Sequence, residues 1–173
     1  MKEDDPTLQT FFYKTEKIVL AVPCNYAINQ RLLPYKCKGE WFLENQWEQL
    51  SAVPPVPLSE FADMPFVLLK DGNDLGARGI QMCQEAGFYP RIAILADQIL
   101  TTANIAANGV GAVFLRADLF HYYSIQDKFC LYVLDSPLSE RKIFFASKKG
   151  RYVSNAMKTF LRIAGISQTN SIH

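Results

Sequence analysis

This sequence has little that points to nucleic-acid contact. Its 18 Lys+Arg residues almost balance 17 Asp+Glu residues, for a net charge of +1, whereas a free-standing nucleic-acid binder usually shows a basic excess or a basic face. The basic run Lys148-Lys149-Gly150-Arg151 is short, and clusters that mark nucleic-acid contact tend to be longer. We therefore interpret this run as a solvated loop.

The chain also lacks metal-binding patterns and long apolar runs. Its four cysteines form no CxxC pair and no Cys/His spacing typical of a metal site. No hydrophobic segment follows the acidic start MKEDDP, so we predict no signal peptide. No apolar run approaches the ~20 residues that span a bilayer. These features favour a protein in a reducing, cytoplasmic setting, with no metal and no membrane partner.

Sequence motifs of catalysis are missing as well. The chain shows no Ser/His/Asp order, nucleophile elbow, HExxH or phosphate-binding loop. His121 lies in an aromatic stretch that favours packing, and His173 ends the chain. Gly76 and Gly79 fall inside a predicted helix, whereas a dinucleotide-binding fingerprint needs its glycines at the strand–helix turn. We predict a non-enzymatic protein with no catalytic residues and no cofactor.

What the chain does contain is an alternation of strands and helices from Pro65 to Arg116. Strands are predicted at Pro65–Lys70, Arg91–Ala96 and Ala112–Leu115, each joined to the next by a helix with an apolar face. Two such consecutive units predict a parallel sheet whose helices both start at the carboxyl ends of the strands. Open α/β sheets bind small molecules at that edge, and helix N-termini attract anions there.

Further elements flank this stretch. The tail from Gly165 is polar and is expected to fray. Short helices are predicted around Trp41, Phe42 and Trp47, and a last helix after the N-cap Ser154. The additional predicted strands are Lys17–Val22, Phe129–Leu134 and Lys142–Ser147.

Polar residues at the two helix starts are the candidate site. Gly72 permits a close backbone approach and Asn73 can donate and accept hydrogen bonds. The alternative is that Asn73 or Asp74 only caps the first helix. Asp97 has the same alternative as an N-cap of the second helix, whereas Gln98 caps poorly and is an equal candidate for contact with a ligand. We predict a ligand-binding set of Gly72, Asn73, Asp97 and Gln98.

Several segments, in order and spacing, resemble the effector-binding region of LysR-type transcriptional regulators. The resemblance covers about residues 11–164. It is carried by KIVLAVPCNYAIN (17–29), LSEFADMPFVLL (58–69), EAGF (85–88), ANGVG (107–111) and KKGRYVS (148–154). Two departures are Ala27, where a Pro is common, and Arg116, which also replaces a common Pro.

The resemblance implies an α/β, type 2 periplasmic-binding-protein-like fold with a mixed sheet and flanking helices. The second lobe would be largely complete and the first lobe truncated. The implied domains are a remnant of the first effector-binding lobe at 1–22, the second lobe at 23–147, and a return to the first lobe at 148–173. The effector, a small organic metabolite, would bind in the cleft between lobes, with the four candidate residues on the second-lobe side.

The resemblance also implies partners. The chain is expected to form a homodimer or a higher oligomer, and to reach DNA only through an N-terminal helix-turn-helix that this sequence lacks. Two other functions stay open on the residues alone: a solute-binding protein on the same fold, and a small α/β enzyme. A signal peptide or lipid-attachment Cys would favour the first, and a base or nucleophile beside Asn73 and Gln98 the second.

Overall fold

The computed structural model describes residues 5–166. Five short 3-10 turns occur at Leu33–Tyr35, Trp47–Ala52, Leu58–Phe61, Gln126–Lys128 and Pro137–Ser139. The strands are β1 (Leu8–Pro23), β2 (Lys36–Cys37), β3 (Pro65–Leu69), β4 (Arg91–Ala96), β5 (Val113–Arg116), β6 (Phe129–Val133) and β7 (Glu140–Lys148). The helices are α1 (Ile28–Arg31), α2 (Gly39–Leu43), α3 (Asp74–Glu85), α4 (Ile99–Ala107), α5 (Leu119–Tyr122) and α6 (Asn155–Ile163).

The chain divides into two compact units. One comprises the chain up to Glu16 and from Arg141 onward, and the other is Lys17–Glu140. The predicted domain boundaries, after residues 22 and 147, lie a few residues further along the chain in both places. None of the helices among residues 5–166 is long and apolar enough to cross a membrane.

Antiparallel strand pairs build half of the larger unit. Strand β1 pairs with β5 from Ile18–Arg116 to Ala21–Val113 and with β6 from Val19–Val133 to Pro23–Phe129. Short β2 pairs with the far side of β6. The side chains of β1 alternate between two apolar clusters, as the period of a strand requires. The first cluster contains Ile18, Leu20 and Val22 and the second contains Val19 and Ala21.

Parallel strands build the other half. Strands β3 and β4 are paired in parallel and end together at Leu69 and Ala96. One parallel bridge joins Phe66 of β3 to Ala112, just before β5, so β3 lies between β4 and β5. The mixed α/β sheet is thereby confirmed, but β5 is not the fully laddered third parallel strand that the sequence predicted. Its ladder is antiparallel, with β1, a partner that the local pattern of β5 cannot indicate.

Residues near both ends of helix α3 define where it starts and stops. Asn73 caps its start, and Gly87 follows its end with φ of 90°. The Gly87 N–H donates to the Gln84 carbonyl and the Phe88 N–H to the Cys83 carbonyl, both at 3.0 Å, which is the paired pattern of a glycine-terminated helix. Gly76 and Gly79 face the sheet, buried, so that the helix backbone lies close to the strands.

The smaller unit contains the first part of β1, most of β7 and the last helix. Strand β7 pairs with β1, and Ser154 caps α6 by accepting from the Met157 N–H. A small apolar cluster forms around Phe11, Leu161 and Ile166. Strand β1 begins at Leu8, not at the predicted Lys17, because its first half packs within this unit, with Phe11 in the apolar cluster. The predicted fraying of the tail falls mainly outside the described residues.

Candidate functional site

The carboxyl ends of three strands meet at one edge of the larger unit. Leu69 and Ala96 are the last paired residues of β3 and β4, and Lys70 and Asp97 follow them. Phe66 of β3 and Ala112 are bridged in parallel. Lys70 lies four residues after Phe66, and Arg116, the last residue of β5, lies four residues after Ala112. We call this surface the carboxyl edge, defined by Lys70, Gly72, Asn73, Asp97, Gln98 and Arg116.

Asn73 is the cap of α3 and remains exposed. Its Oδ1 accepts a hydrogen bond from the Leu75 N–H at 2.9 Å, so the capping interpretation is correct for this oxygen. Within residues 5–166 its side-chain NH₂ has no partner, which leaves two donors for a ligand. Gly72 precedes it with φ of 89° and open space around its Cα. The neighbouring Asp74 does not cap the helix; it accepts from Arg78 Nε at 2.9 Å.

Asp97 does not cap α4, so the alternative of an N-cap is wrong for this residue, and its predicted contact with a ligand stays a prediction. The N-cap position belongs to Gln98, because β4 continues through Ala96 and the helix starts only at Ile99. Asp97 Oδ2 instead accepts from Lys70 Nζ at 2.9 Å. Gln98 is exposed and its side chain makes no capping hydrogen bond, so the first N–H groups of α4 have no side-chain cap.

Two basic residues, Lys70 and Arg116, also lie at this edge and were not among the residues predicted from sequence. Arg116 is the last residue of β5 and pairs with Ile18 of β1. Its Nε lies 3.6 Å from Asp118 Oδ1. Lys70 ends β3 and pairs with Asp97. Their positions in the sequence could have indicated this. Lys70 directly follows the buried strand β3, and Arg116 is the last residue of β5. Two cations, an amide and an uncapped helix start together form a surface suited to a carboxylate or phosphate group.

The crevice beside this edge is small. A crevice of about 10 Å³ lies between β3 and the two helices, lined by Leu69, Leu75 and Thr102 among others. The cavity of about 270 Å³ in this unit lies at the other end of α3, against Met82 and Glu85. The volume of the larger cavity therefore does not locate the predicted ligand.

The two histidines of the chain have different positions relative to the described residues. His121 is exposed and its Nδ1 lies 2.7 Å from the Leu43 carbonyl oxygen, so it joins α5 to α2 without being buried. His173 lies outside the described residues. Among the residues that the structure describes, no group of His, Cys, Asp and Glu could hold a metal ion.

Comparison with known proteins decides the family. The LysR substrate binding domain model matches residues 4–165. The chain belongs to this LysR domain family. A curated relative, the uncharacterized HTH-type transcriptional regulator YcgK of Bacillus subtilis, is 29% identical over 155 residues. That match covers 87% of this chain and 44% of the relative, so the chain spans less than half of the relative's length.

Solved structures of LysR regulators share the fold. The CcmR regulatory domain of Synechocystis PCC6803, solved with 2-PG, gives a TM-score of 0.71 at 12% identity over 95% of this chain and 68% of that chain. The effector-binding domain of QuiR, solved with shikimate, gives 0.62 at 17% identity over 95% and 66%. The type 2 periplasmic-binding-protein-like fold of this LysR domain is thus confirmed.

Proposed function

We propose that this LysR domain senses a small organic anion and that its carboxyl edge holds the anionic group. The observation that carries the proposal is the convergence of Lys70, Arg116, the Asn73 amide and the uncapped start of α4 at one strand edge. Charge-assisted hydrogen bonds from such donors contribute about 1.5–3 kcal/mol each. The QuiR domain was solved with shikimate, a carboxylate, which supports this class of ligand.

The regulatory part of the proposal comes from the family. The relative YcgK is described as an HTH-type transcriptional regulator. We infer that this chain reports effector binding to a DNA-binding helix-turn-helix segment, in the cytoplasm, and that it acts by binding and not by catalysis. The effector would bind one of two arrangements of the assembly more tightly than the other. Its difference in affinity for the two arrangements sets how far it shifts the equilibrium between them.

A second copy of the chain is the proposed protein partner. Strand β4 pairs only with β3 among residues 5–166, and its side chains Ile94 and Leu95 are 36% and 47% exposed. An edge strand with exposed apolar side chains favours association. Leu95→Lys should shift the chain toward monomer in light scattering, whereas Tyr152→Lys, at a residue 85% exposed, should not. Equal masses for both variants and the wild type would count against β4 as the contact.

The effector proposal is tested by thermal shift and calorimetric titration with a panel of small carboxylates that includes shikimate and benzoate. A binding carboxylate should raise the melting temperature of the wild-type chain. Gln98→Ala should weaken its affinity about 10-fold, as loss of one good hydrogen bond does. Gln81→Ala is the matched control, because Gln81 is an exposed residue in the middle of α3. This variant should bind the carboxylate with wild-type affinity.

Asn73→Ser separates capping from ligand contact. Ser also caps helices well, so the melting temperature without ligand should stay close to that of the wild type. Ser lacks the amide donors, so carboxylate affinity should fall as it does for Gln98→Ala. A carboxylate that binds the wild type and every carboxyl-edge variant with the same affinity would overturn the site.

A further inference from the structure

Two cysteines that are 106 residues apart in sequence lie in contact at the end of β1. The Sγ atoms of Cys24 and Cys130 are 3.6 Å apart. Cys24 is exposed in the turn that follows β1, whereas Cys130 is buried in β6. The other two cysteines, Cys37 and Cys83, are both buried, and the structure gives neither of them a thiol neighbour.

The strand pairing fixes this contact. Val22 of β1 lies opposite Cys130, and Pro23 opposite Phe129, so the turn begins directly beside β6. The Cys24 N–H donates to the Lys128 carbonyl at 3.0 Å. The two thiols are therefore held together by backbone hydrogen bonds, and their proximity does not depend on a flexible side chain alone.

Buried polar side chains also fix this turn through hydrogen bonds. Tyr132, fully buried on β6, donates its hydroxyl to Asn29 Oδ1 at 2.9 Å. The Asn29 side-chain amide donates to the Pro23 carbonyl at 2.8 Å. These hydrogen bonds connect Pro23, directly before Cys24, to Tyr132, two residues after Cys130. The two thiols are therefore expected to stay close together when Cys24 reacts.

We propose that Cys24 and Cys130 form a thiol–disulfide exchange site whose oxidant is a low-molecular-weight disulfide. A disulfide bond is about 2.05 Å long, so the sulfurs must approach by about 1.5 Å from their 3.6 Å contact. Cys24 lies in an exposed turn, and the weak bond from its thiol to the Asp127 carbonyl, at 3.7 Å, is lost when the disulfide forms.

The exchange proceeds in two balanced steps. The Cys24 thiol loses its proton to solvent, and the thiolate attacks one sulfur of the small disulfide; a mixed disulfide forms and one small thiolate leaves. Cys130 then loses its proton and attacks Cys24 Sγ, which forms the protein disulfide and releases the second small thiolate. Two protein thiols are oxidised and one small disulfide is reduced to two thiols.

The different surroundings of the two thiols set this order. Burial, together with the neighbouring Cys24, raises the pKa of Cys130 to about 11, so it remains a thiol and is shielded from a bulky oxidant. Exposure makes Cys24 the first to react. Because β1 runs antiparallel to β5, Cys24 lies at the opposite sheet edge from Asn73, and this site is separate from the proposed effector surface.

The test exposes the native chain to oxidised glutathione and counts thiols by alkylation in denaturant and mass spectrometry. The four cysteines of the reduced chain should fall to two free thiols, with the loss of two hydrogens in mass. Peptide mapping should show one cross-link, between residues 24 and 130. A cross-link to Cys37 or Cys83, or four remaining thiols, would overturn the proposal.

Variants separate the two steps. Cys130→Ala should stop at the mixed disulfide on Cys24, so the chain gains one glutathione and forms no internal bond. Cys24→Ser, at an exposed position that tolerates the change, should keep three free thiols under the same treatment. Cys83→Ala is the matched control, because it removes a buried cysteine outside the pair; it should still form the cross-link. Full glutathionylation of the wild type without an internal bond would contradict the second step.

Discussion

Lys70 and Asp97 join the ends of two neighbouring parallel strands. Lys70 Nζ donates to Asp97 Oδ2 at 2.9 Å, and the two side chains are 54% and 74% exposed. The bond spans 27 residues of sequence and places a positive and a negative charge where the proposed anion would bind. An exposed pair of this kind contributes little to stability, about 0–1 kcal/mol, so its main consequence is electrostatic.

Opposite effects on ligand affinity are expected from the two members of this pair. Asp97→Asn should strengthen carboxylate binding, because it removes a negative charge from the edge and leaves Lys70 available. Lys70→Met should weaken binding for the converse reason. Calorimetric titration at low and high salt measures both effects, and salt should shrink them since exposed charges are screened. Shifts in the same direction for both variants would show that the anion does not bind beside this pair.

Gly79→Ala should destabilise the chain strongly. A Cβ at this position would lie 2.5 Å from Cδ2 of Phe114, whose ring is held by stacking on Phe66 at 5.8 Å. We expect the upper end of the about 1–3 kcal/mol range for overpacking, measured as the free energy of unfolding in urea. Ala77→Ser, on the exposed face of the same helix, should change it by only a few tenths. An unchanged stability of Gly79→Ala would mean that α3 does not pack this closely on β5.

The buried carboxylate of the smaller unit makes its cation essential. Glu16 Oε2 accepts from Arg141 Nε at 2.6 Å, and the two side chains are 6% and 22% exposed. Arg141→Met should cost about 3 kcal/mol of unfolding free energy, because a buried charge loses its counter-ion.

A second cation on the same carboxylate is the matched control. Lys14 Nζ lies 3.8 Å from Glu16 Oε1 and is 38% exposed, so Lys14→Met should cost well under about 1 kcal/mol. The double variant Glu16→Gln with Arg141→Met should recover part of the loss, since the buried carboxylate that Arg141 pairs with is then neutral. Equal costs for the two single variants would contradict the special role of Arg141.

Buried cysteines should make the chain less stable in alkali. Burial raises the pKa of Cys83 from 9.0 to about 12 and that of Cys37 to about 11. Above pH 9 the unfolded chain loses these protons while the folded chain keeps them, so stability falls as pH rises. Each such thiol adds a slope of about 1.4 kcal/mol per pH unit.

Unfolding in urea between pH 8 and 10.5 measures this slope. Below pH 9 both states hold the thiol protons, and these residues should add no pH dependence. Cys83→Ala should lower stability at every pH because it leaves a small cavity, and it should also reduce the alkaline slope. The same slope with and without Cys83 would show that this thiol does not remain protonated in the folded chain.

Local features of the fold were predictable because their causes lie within a few residues of each other. Asn73 and Gly87 set the ends of α3, Ser154 caps α6, and the predicted starts of β3 and β4 agree with the structure. The family, too, was recognisable from segments in order along the chain. The ligand-binding roles of Gly72, Asn73, Asp97 and Gln98 remain a prediction that binding experiments must decide.

Long-range choices were not predictable from the same patterns. The sequence indicated that β5 is a strand but not that its ladder is with β1, since the paired residues Ile18 and Arg116 lie far apart in the chain. For Asp97 the sequence offered a contact with a ligand or, as the alternative, a helix cap; the structure shows a bond to Lys70 and no cap. The residues next to Asp97 in sequence are compatible with a cap or with an ion pair. The ion pair forms because the ends of β3 and β4 lie close enough for Lys70 to reach Asp97.

By itself, the sequence determined the alternation of strands and helices, the caps of α3 and α6 and the family to which the chain belongs. Periodicity, turn residues and side-chain caps act within one helical turn or one strand, so they can be read from neighbouring letters. Only the tertiary structure decided which charges meet at the carboxyl edge and that Cys24 lies against Cys130. Those contacts depend on strand register and on the packing of distant segments, which no local pattern specifies.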